Sequence, residues 1–339
     1  MKFGIDPTRD RLHLGHFVPL RLARKLQKQG HELDLVLGTL TAQLGDPSGQ
    51  DKTRPILTEE DCRANADKLL EQCQRVLLPG FRVHFNHTFV ESMSVPMFLS
   101  RLAAKVTVAS MLARDGFRRR MDAGQSIALH EFLVPLLQGW DSVVIKAEVE
   151  IGGTDQLFNF QVARQLQGAE GQKSQMALMT PVIRGTDGRK MSKSFGNTIW
   201  LDEVPEQIFG QVMSISDEVM DEWIPLLTEG IDDPHPMKRK KALARDLVSQ
   251  LHGPGAAAQA QAHFESVVQR GEVQDVGEFP AEPLIIMVSK VRGESRTKAR
   301  KLIQGGGVQL DGSKVFDLDV VPPVGALLRV GKRRFVRVT

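Results

Sequence analysis

The 339-residue chain contains no tyrosine, so no phenol can serve it as a ligand or a proton donor. Cysteine is nearly as scarce. Cys62 and Cys73 lie on one predicted helix, which excludes a disulfide framework and predicts free, buried thiols. No apolar run approaches the length that spans a bilayer, so a transmembrane helix is excluded. The start, Met1 to Pro7, lacks the apolar region and cleavage site of a signal peptide, and a cytoplasmic protein is expected. No His/Cys cluster has the spacing of zinc ligands, and no metal site is expected. Internal repeats and low-complexity tracts are missing too.

What is there suits a soluble globular protein of two or three domains, with 25% charged and 41% hydrophobic residues. The net charge is only +3, but it is unevenly spread. Residues 282–339 hold twelve Lys and Arg against five Asp and Glu, a balance of +7 that leaves −4 for the rest. A small basic end on a mildly acidic body suggests a polyanion partner for that end.

The first half alternates strand and helix patterns, as a parallel α/β sheet does. Strands are predicted over residues 2–6, 33–38, 82–85 and 143–151. Helices are predicted over 16–29, from the cap-like Thr58-Glu59-Glu60-Asp61 to about 78, over 96–113, and over 130–140. Gly152-Gly153-Thr154-Asp155-Gln156 opens another helix. Helices are expected over 206–268, with the basic run Lys238-Arg239-Lys240-Lys241. A Gly-, Pro- and acid-rich linker follows at 271–283, then a small α+β unit over 284–339 whose helix carries Arg296, Lys298, Arg300 and Lys301.

Two motifs carry chemistry. His13-Leu14-Gly15-His16 follows the first strand and opens a helix, where backbone N–H groups and two imidazoles can meet phosphate oxygens. Lys190-Met191-Ser192-Lys193-Ser194 sits between Gly188 and Gly196, in a loop. Its two lysines can neutralise charge on a leaving pyrophosphate. Either motif alone occurs by chance. Val134, Gln138 and Asp141 fall at i, i+4 and i+7 on one helical face among Leu133, Leu136, Leu137 and Trp140, which suggests a buried polar slot.

Taken in order, the two motifs resemble those of class I aminoacyl-tRNA synthetases, and the resemblance sharpens to the tyrosyl branch. Gly4-Ile5-Asp6-Pro7-Thr8, Gly45-Asp46-Pro47-Ser48-Gly49, Leu136-Leu137-Gln138-Gly139-Trp140-Asp141 and Gly152-Gly153-Thr154-Asp155-Gln156 look like further motifs of that branch. The tail resembles an S4 RNA-binding module.

The resemblance implies a Rossmann-type catalytic domain with a connective insertion over 1–203, a helical anticodon-binding domain over 204–270, the linker, and an S4-like domain over 284–339. It implies that Thr8, His13, His16, Lys190 and Lys193 act in catalysis. It implies ATP contacts at Gly15, Gly153, Asp155, Met191, Ser192 and Ser194. The amino acid would meet Asp6, Thr41, Asp46, Val134, Gln138, Asp141 and Gln156, with Asp141 receiving a phenol hydroxyl. Lys238, Arg239, Arg296, Lys298 and Arg300 would contact tRNA. Expected partners are therefore tRNA, L-tyrosine and ATP, with Mg²⁺ travelling with ATP, and a second copy in a homodimer; the apolar residues of the Met93 to Ala113 region, Met97, Phe98, Leu99 and Leu102, are the expected interface. DNA and membrane are not expected partners.

The chain also departs from the branch. Val134 stands where a tyrosine commonly helps hold the substrate ammonium, Trp140 replaces another tyrosine, and Lys2 stands where one branch has a tyrosine touching the substrate hydroxyl. The N-terminal segment is short. A ligase for a related amino acid and a non-catalytic RNA-binding paralogue thus stand beside the tyrosine ligase.

Overall fold

The computed structural model describes residues 1–45, 57–192, 195–266, 277–331 and 334–339. They fall into two compact units, Met1–Ala257 and Ala258–Thr339.

The first unit is built on a parallel sheet of order β3-β2-β1-β4-β5. Its strands are β1 (Lys2–Ile5), β2 (Asp34–Leu37), β3 (Arg82–Phe85), β4 (Val149–Gly153) and β5 (Met176–Thr180). β2 is buried along its length, and Leu35 and Leu37 are fully enclosed, as a strand covered on both faces must be. Helix α1 (Leu14–Lys28) crosses from β1 to β2 and buries Leu14, Phe17 and Leu20. A short α2 (Thr39–Leu44) follows β2. Helix α3 (Glu59–Val76) starts where Thr58 accepts the Asp61 N–H, the cap its sequence predicts. It buries Cys62, Ala66, Leu69 and Cys73 at helical spacing, and both cysteines are free. Burial pushes the Cys73 thiol up to about 12, so it is chemically quiet.

The chain winds outward from β1 to β2 and β3, then returns to the other side of β1 for β4 and β5. Strand order therefore reverses between β1 and β4. In an open α/β sheet that reversal opens a crevice at the carboxyl ends of the strands.

Between β3 and β4 the predicted 96–113 helix is broken. It forms α4 (Val95–Arg101), a 3₁₀ turn at Ala103–Lys105 and α5 (Val108–Leu112). Thr107 accepts the Ser110 N–H and starts α5 afresh, a local bond that competes with continuation. Helix α6 (Asp115–Asp122) follows. Helix α7 (Leu133–Val144) takes in Val143 and Val144, which sequence reading assigned to a strand. Val143 packs with Leu136 and Trp140 in one apolar cluster, and this contact outweighs its β preference. Helix α8 (Leu157–Ala169) lies against α7.

Helices α9 (Pro205–Met213), α10 (Asp217–Leu227) and α11 (Pro236–His252) complete this unit. Lys238 is exposed, Arg239 pairs with Asp221 at 2.7 Å, and Lys240 Nζ donates to the Ile215 carbonyl oxygen. Helix α12 (Pro254–Phe264) leads into the second unit.

In the second unit, β6 (Gly277–Phe279), β7 (Val308–Leu310), β8 (Ser313–Lys314), β9 (Leu327–Val330) and β10 (Arg334–Val338) form a sheet of order β6-β10-β9-β7-β8. Of the segment read as a linker, Gly277–Phe279 is thus a strand paired with β10, and 271–276 lies outside the described residues. Asp311 and Gly312, both at positive φ, make the tight turn between β7 and β8. Helices α13 (Leu284–Arg292) and α14 (Arg296–Gln304) bury Leu284, Met287, Val288, Ala299 and Ile303 against the sheet. Arg296, Lys298 and Arg300 of α14 stay exposed.

Candidate active site

A cleft of about 1280 Å³ runs along β1 and β4 to their carboxyl ends. That exceeds what one small ligand needs and leaves room for two substrates side by side. Phosphate-type chemistry gathers at the strand ends. His13 caps α1 in an extended conformation, and its Nδ1 accepts the Gly15 N–H at 3.1 Å. His16 Nδ1 accepts the His13 N–H at 3.2 Å, so the two imidazoles form a reciprocal cap. With Nδ1 accepting, each neutral ring carries its proton on Nε2 and is a donor there. Thr8 and Gly15 line the same wall.

Across the cleft, Gly153 ends β4 and Asp155 lies in the turn that follows it. Lys190 Nζ comes within 3.7 Å of Asp155 Oδ2, and Met191 and Ser192 line the cleft beside it. The loop is anchored by Asn197, a buried residue that the sequence offers only as part of the loop's flank, Gly196-Asn197. Its Nδ2 donates to Asp187 Oδ1 and the Lys190 carbonyl oxygen, and its Oδ1 accepts the Ser192 N–H. The Asn197 bond, with Arg189 alongside, holds the Asp187 carboxyl down at about 2. Lys193, Ser194 and Asp46 lie outside the described residues.

Deeper along β1 and β4 the cleft becomes a polar slot. Asp6 accepts the Thr41 hydroxyl at 2.7 Å. A Cβ on Gly38 would sit 2.0 Å from Asp6 Oδ1 and 2.4 Å from Thr41 Oγ1, so only glycine fits behind that pair. Gln138 and Gln156 also face the cleft, whereas Val134 is buried in α7 and does not line it. Sequence reading had put Val134 in the slot wall.

Lys2 and Glu150 are register partners on β1 and β4 and form a fully buried ion pair at 2.9 Å. Lys2 Nζ also donates to the Gln138 carbonyl oxygen and to Ser142 Oγ, both at 2.8 Å. An ammonium has three protons, and these three acceptors account for them. Lys2 therefore does not replace a phenol as a hydroxyl reader. It braces α7 against the sheet.

Asp141 lies beside this pair on α7. Burial pushes its carboxyl up to about 8; Lys2 opposes the rise, Glu150 and Asp6 add to it, and a hydrogen bond from Asn86 opposes it. Asn86 Nδ2 also lies 3.2 Å from Thr41 Oγ1, so Asn86 links both ends of the slot. Such a carboxyl, neutral near pH 7 and desolvated, is suited to exchange hydrogen bonds with a neutral hydroxyl. Among the described residues no group of three His, Cys, Asp or Glu side chains is placed to hold a metal ion.

The family described as tRNA synthetases class I (W and Y) matches residues 1–269. The tyrosine–tRNA ligase of Thiobacillus denitrificans is 44% identical, over 100% of this chain and 91% of its own length. That of Thermotoga maritima is 41% identical, over 100% of this chain and 90% of its own. The chain belongs to the tyrosine–tRNA ligase family. A C-terminally truncated mitochondrial tyrosyl-tRNA synthetase from Aspergillus nidulans superposes with a TM-score of 0.63. It covers 78% of this chain and 85% of its own, at 21% identity, and shares the fold.

Within a class I synthetase fold, the expected positions Asp6, Thr8, His13, Gly15, His16, Thr41, Gln138, Asp141, Gly153, Asp155, Gln156, Lys190, Met191 and Ser192 converge on one cleft. The roles of the asparagines Asn86, Asn159 and Asn197 were not anticipated. Asn159 could have been: it stands three residues after Gln156, in the first turn of the helix that motif opens.

Proposed function

We propose that this protein activates L-tyrosine with ATP to tyrosyl-adenylate and transfers the tyrosyl group to the 3′-terminal adenosine of tRNA(Tyr). The observation that carries this reading is the single cleft. It joins the α1 start, Asp155 and Lys190 at one end to a slot ending on a buried neutral carboxyl at the other.

The tyrosine carboxylate attacks the α-phosphorus in line, and the bond to pyrophosphate breaks. Thr8, His13 and His16 donate to the phosphate oxygens, and Lys190 and Lys193 neutralise the departing pyrophosphate. No side chain needs to bond covalently, so catalysis is positioning plus electrostatics. Gly15, Gly153, Met191, Ser192 and Ser194 frame the adenosine, and Asp155 receives its ribose hydroxyls. Mg²⁺ enters with ATP as part of the substrate. Asp6, Thr41, Asp46, Gln138 and Gln156 take the ammonium group, and Asp141 takes the phenol. A ribose hydroxyl of the tRNA end then attacks the acyl carbon, and AMP leaves.

The chain works in the cytoplasm as a homodimer. Leu102 is fully buried within the fold and Phe98 packs beside it, so the partner-facing residues of that region are Val95, Leu99 and Val108, all exposed. The functional division is a catalytic part over 1–203, a helical part over 204–270 and an S4-like part over 284–339. Lys238, Arg239, Arg296, Lys298 and Arg300 contact tRNA.

ATP–pyrophosphate exchange with a panel of amino acids tests the reading. Tyrosine should lead. A lead for another amino acid would install the related-ligase reading, and no exchange with any would install the non-catalytic one.

A further inference from the structure

Asn159 is fully buried at the start of α8 and belongs to none of the motifs above. Its Nδ2 donates to Gln138 Oε1 at 2.8 Å and to Gln156 Oε1 at 2.9 Å. The two glutamines come from different elements, one from the middle of α7 and one from the turn after β4, and both line the cleft.

A carboxamide can turn over with almost no change of shape, so its partners alone decide whether oxygen or nitrogen faces a given point. An amide nitrogen has two protons, and Asn159 directs one to each glutamine oxygen. Gln138 Nε2 lies 3.4 Å from Glu150 Oε1, which restrains the same amide from its other end. A carboxamide oxygen has two lone pairs, and the Asn159 bond uses one of them on each glutamine. Both oxygens then join the Asp6 carboxylate in the slot as acceptors of the kind an ammonium needs.

The backbone supports this arrangement. A Cβ on Gly139 would lie 2.9 Å from Leu166 Cδ1 and 3.1 Å from Ala163 Cα. Glycine at 139 lets α7 approach α8 closely enough for Asn159 to reach Gln138.

We infer that Asn159 is a positioning residue that turns the oxygens of Gln138 and Gln156 toward the α-ammonium group of the amino acid. The inference rests on the ligase reading and goes one step further inside the same slot. Asn159 does not touch the reacting atoms, so its effect belongs to amino-acid binding and not to the chemical step.

Exchange kinetics of Asn159→Ala should show the KM for tyrosine raised about tenfold or more, kcat changed less than about threefold, and the KM for ATP unmoved. Two competitive inhibitors separate orientation from general damage. Tyramine keeps the ammonium and lacks the carboxylate, and its inhibition constant should rise with the KM. The deamino compound 3-(4-hydroxyphenyl)propionate lacks the ammonium, and its constant should not change. Asn159→Asp keeps the size and can offer at most one proton, so it orients at most one glutamine and should also raise the KM. Equal weakening of both inhibitors, or an Asn159→Asp protein with an unchanged KM for tyrosine, would overturn the role. Absence of exchange in the unmutated protein would overturn the ligase reading and this inference together, so the two failures are distinguishable.

Discussion

Asp141 and Lys2 both line the cleft. The sequence placed both at the end of the slot, but it could not say which bonds they make. Lys2 gives its protons to Gln138, Ser142 and Glu150, and on the proposed reading Asp141 takes the substrate hydroxyl. Its raised pKa has a consequence for stability. Between about pH 4 and pH 8 the folded protein holds a proton on Asp141 that the unfolded chain releases. Stability from this group is therefore fully present below the unfolded pKa and is lost as pH rises through the folded one. In thermal unfolding of the unliganded protein, Asp141→Asn should remove that dependence. Wild-type Tm should fall relative to the variant between pH 5.5 and pH 8. A Tm difference that stays constant over this range would mean that Asp141 is ionised in the fold.

At the scale of elements, the strands β1, β2 and β3 and the capped helix α3 were legible because burial and capping write themselves into local pattern. Of the strand predicted over 143–151, residues 149–151 do lie in β4, but Val143 and Val144 belong to α7, because Val143 obeys a packed cluster and not its own β preference. Strand β5, which closes the sheet beside β4, left no alternation to read. The motif residues were legible as a set, whereas Asn86 was not, because its partners Thr41 and Asp141 are distant in sequence. Gly38 falls between these cases. It follows β2 as an ordinary turn residue, yet its missing Cβ is what admits the Asp6–Thr41 pair. Gly38→Ala should displace the Asp6 carboxylate and raise the KM for tyrosine about tenfold or more. Exchange kinetics check this, and an unchanged KM would mean that the pair is not part of the amino-acid site.

At the scale of the molecule, the charge imbalance read from the sequence has a structural counterpart. The second unit carries exposed Arg296, Lys298 and Arg300 on α14 and has its own core, so its basic face is not needed for packing. Deleting 284–339 should spare adenylate formation and weaken tRNA charging. Charging by the full chain should also decline with salt as counterions compete. Charging that survives the deletion at moderate salt would remove the tail from the tRNA contact.

On the proposed reading, one cleft activates an amino acid and selects it by a hydroxyl. ATP–pyrophosphate exchange with tyrosine and phenylalanine, on the unmutated protein and on Asp141→Ala, tests it most directly. Leaving a buried polar group unpaired costs about 1–3 kcal/mol. The preference for tyrosine should therefore shrink by about 5- to 150-fold in the variant. Phenylalanine ahead of tyrosine in the unmutated protein, or an undiminished preference in Asp141→Ala, would contradict the account.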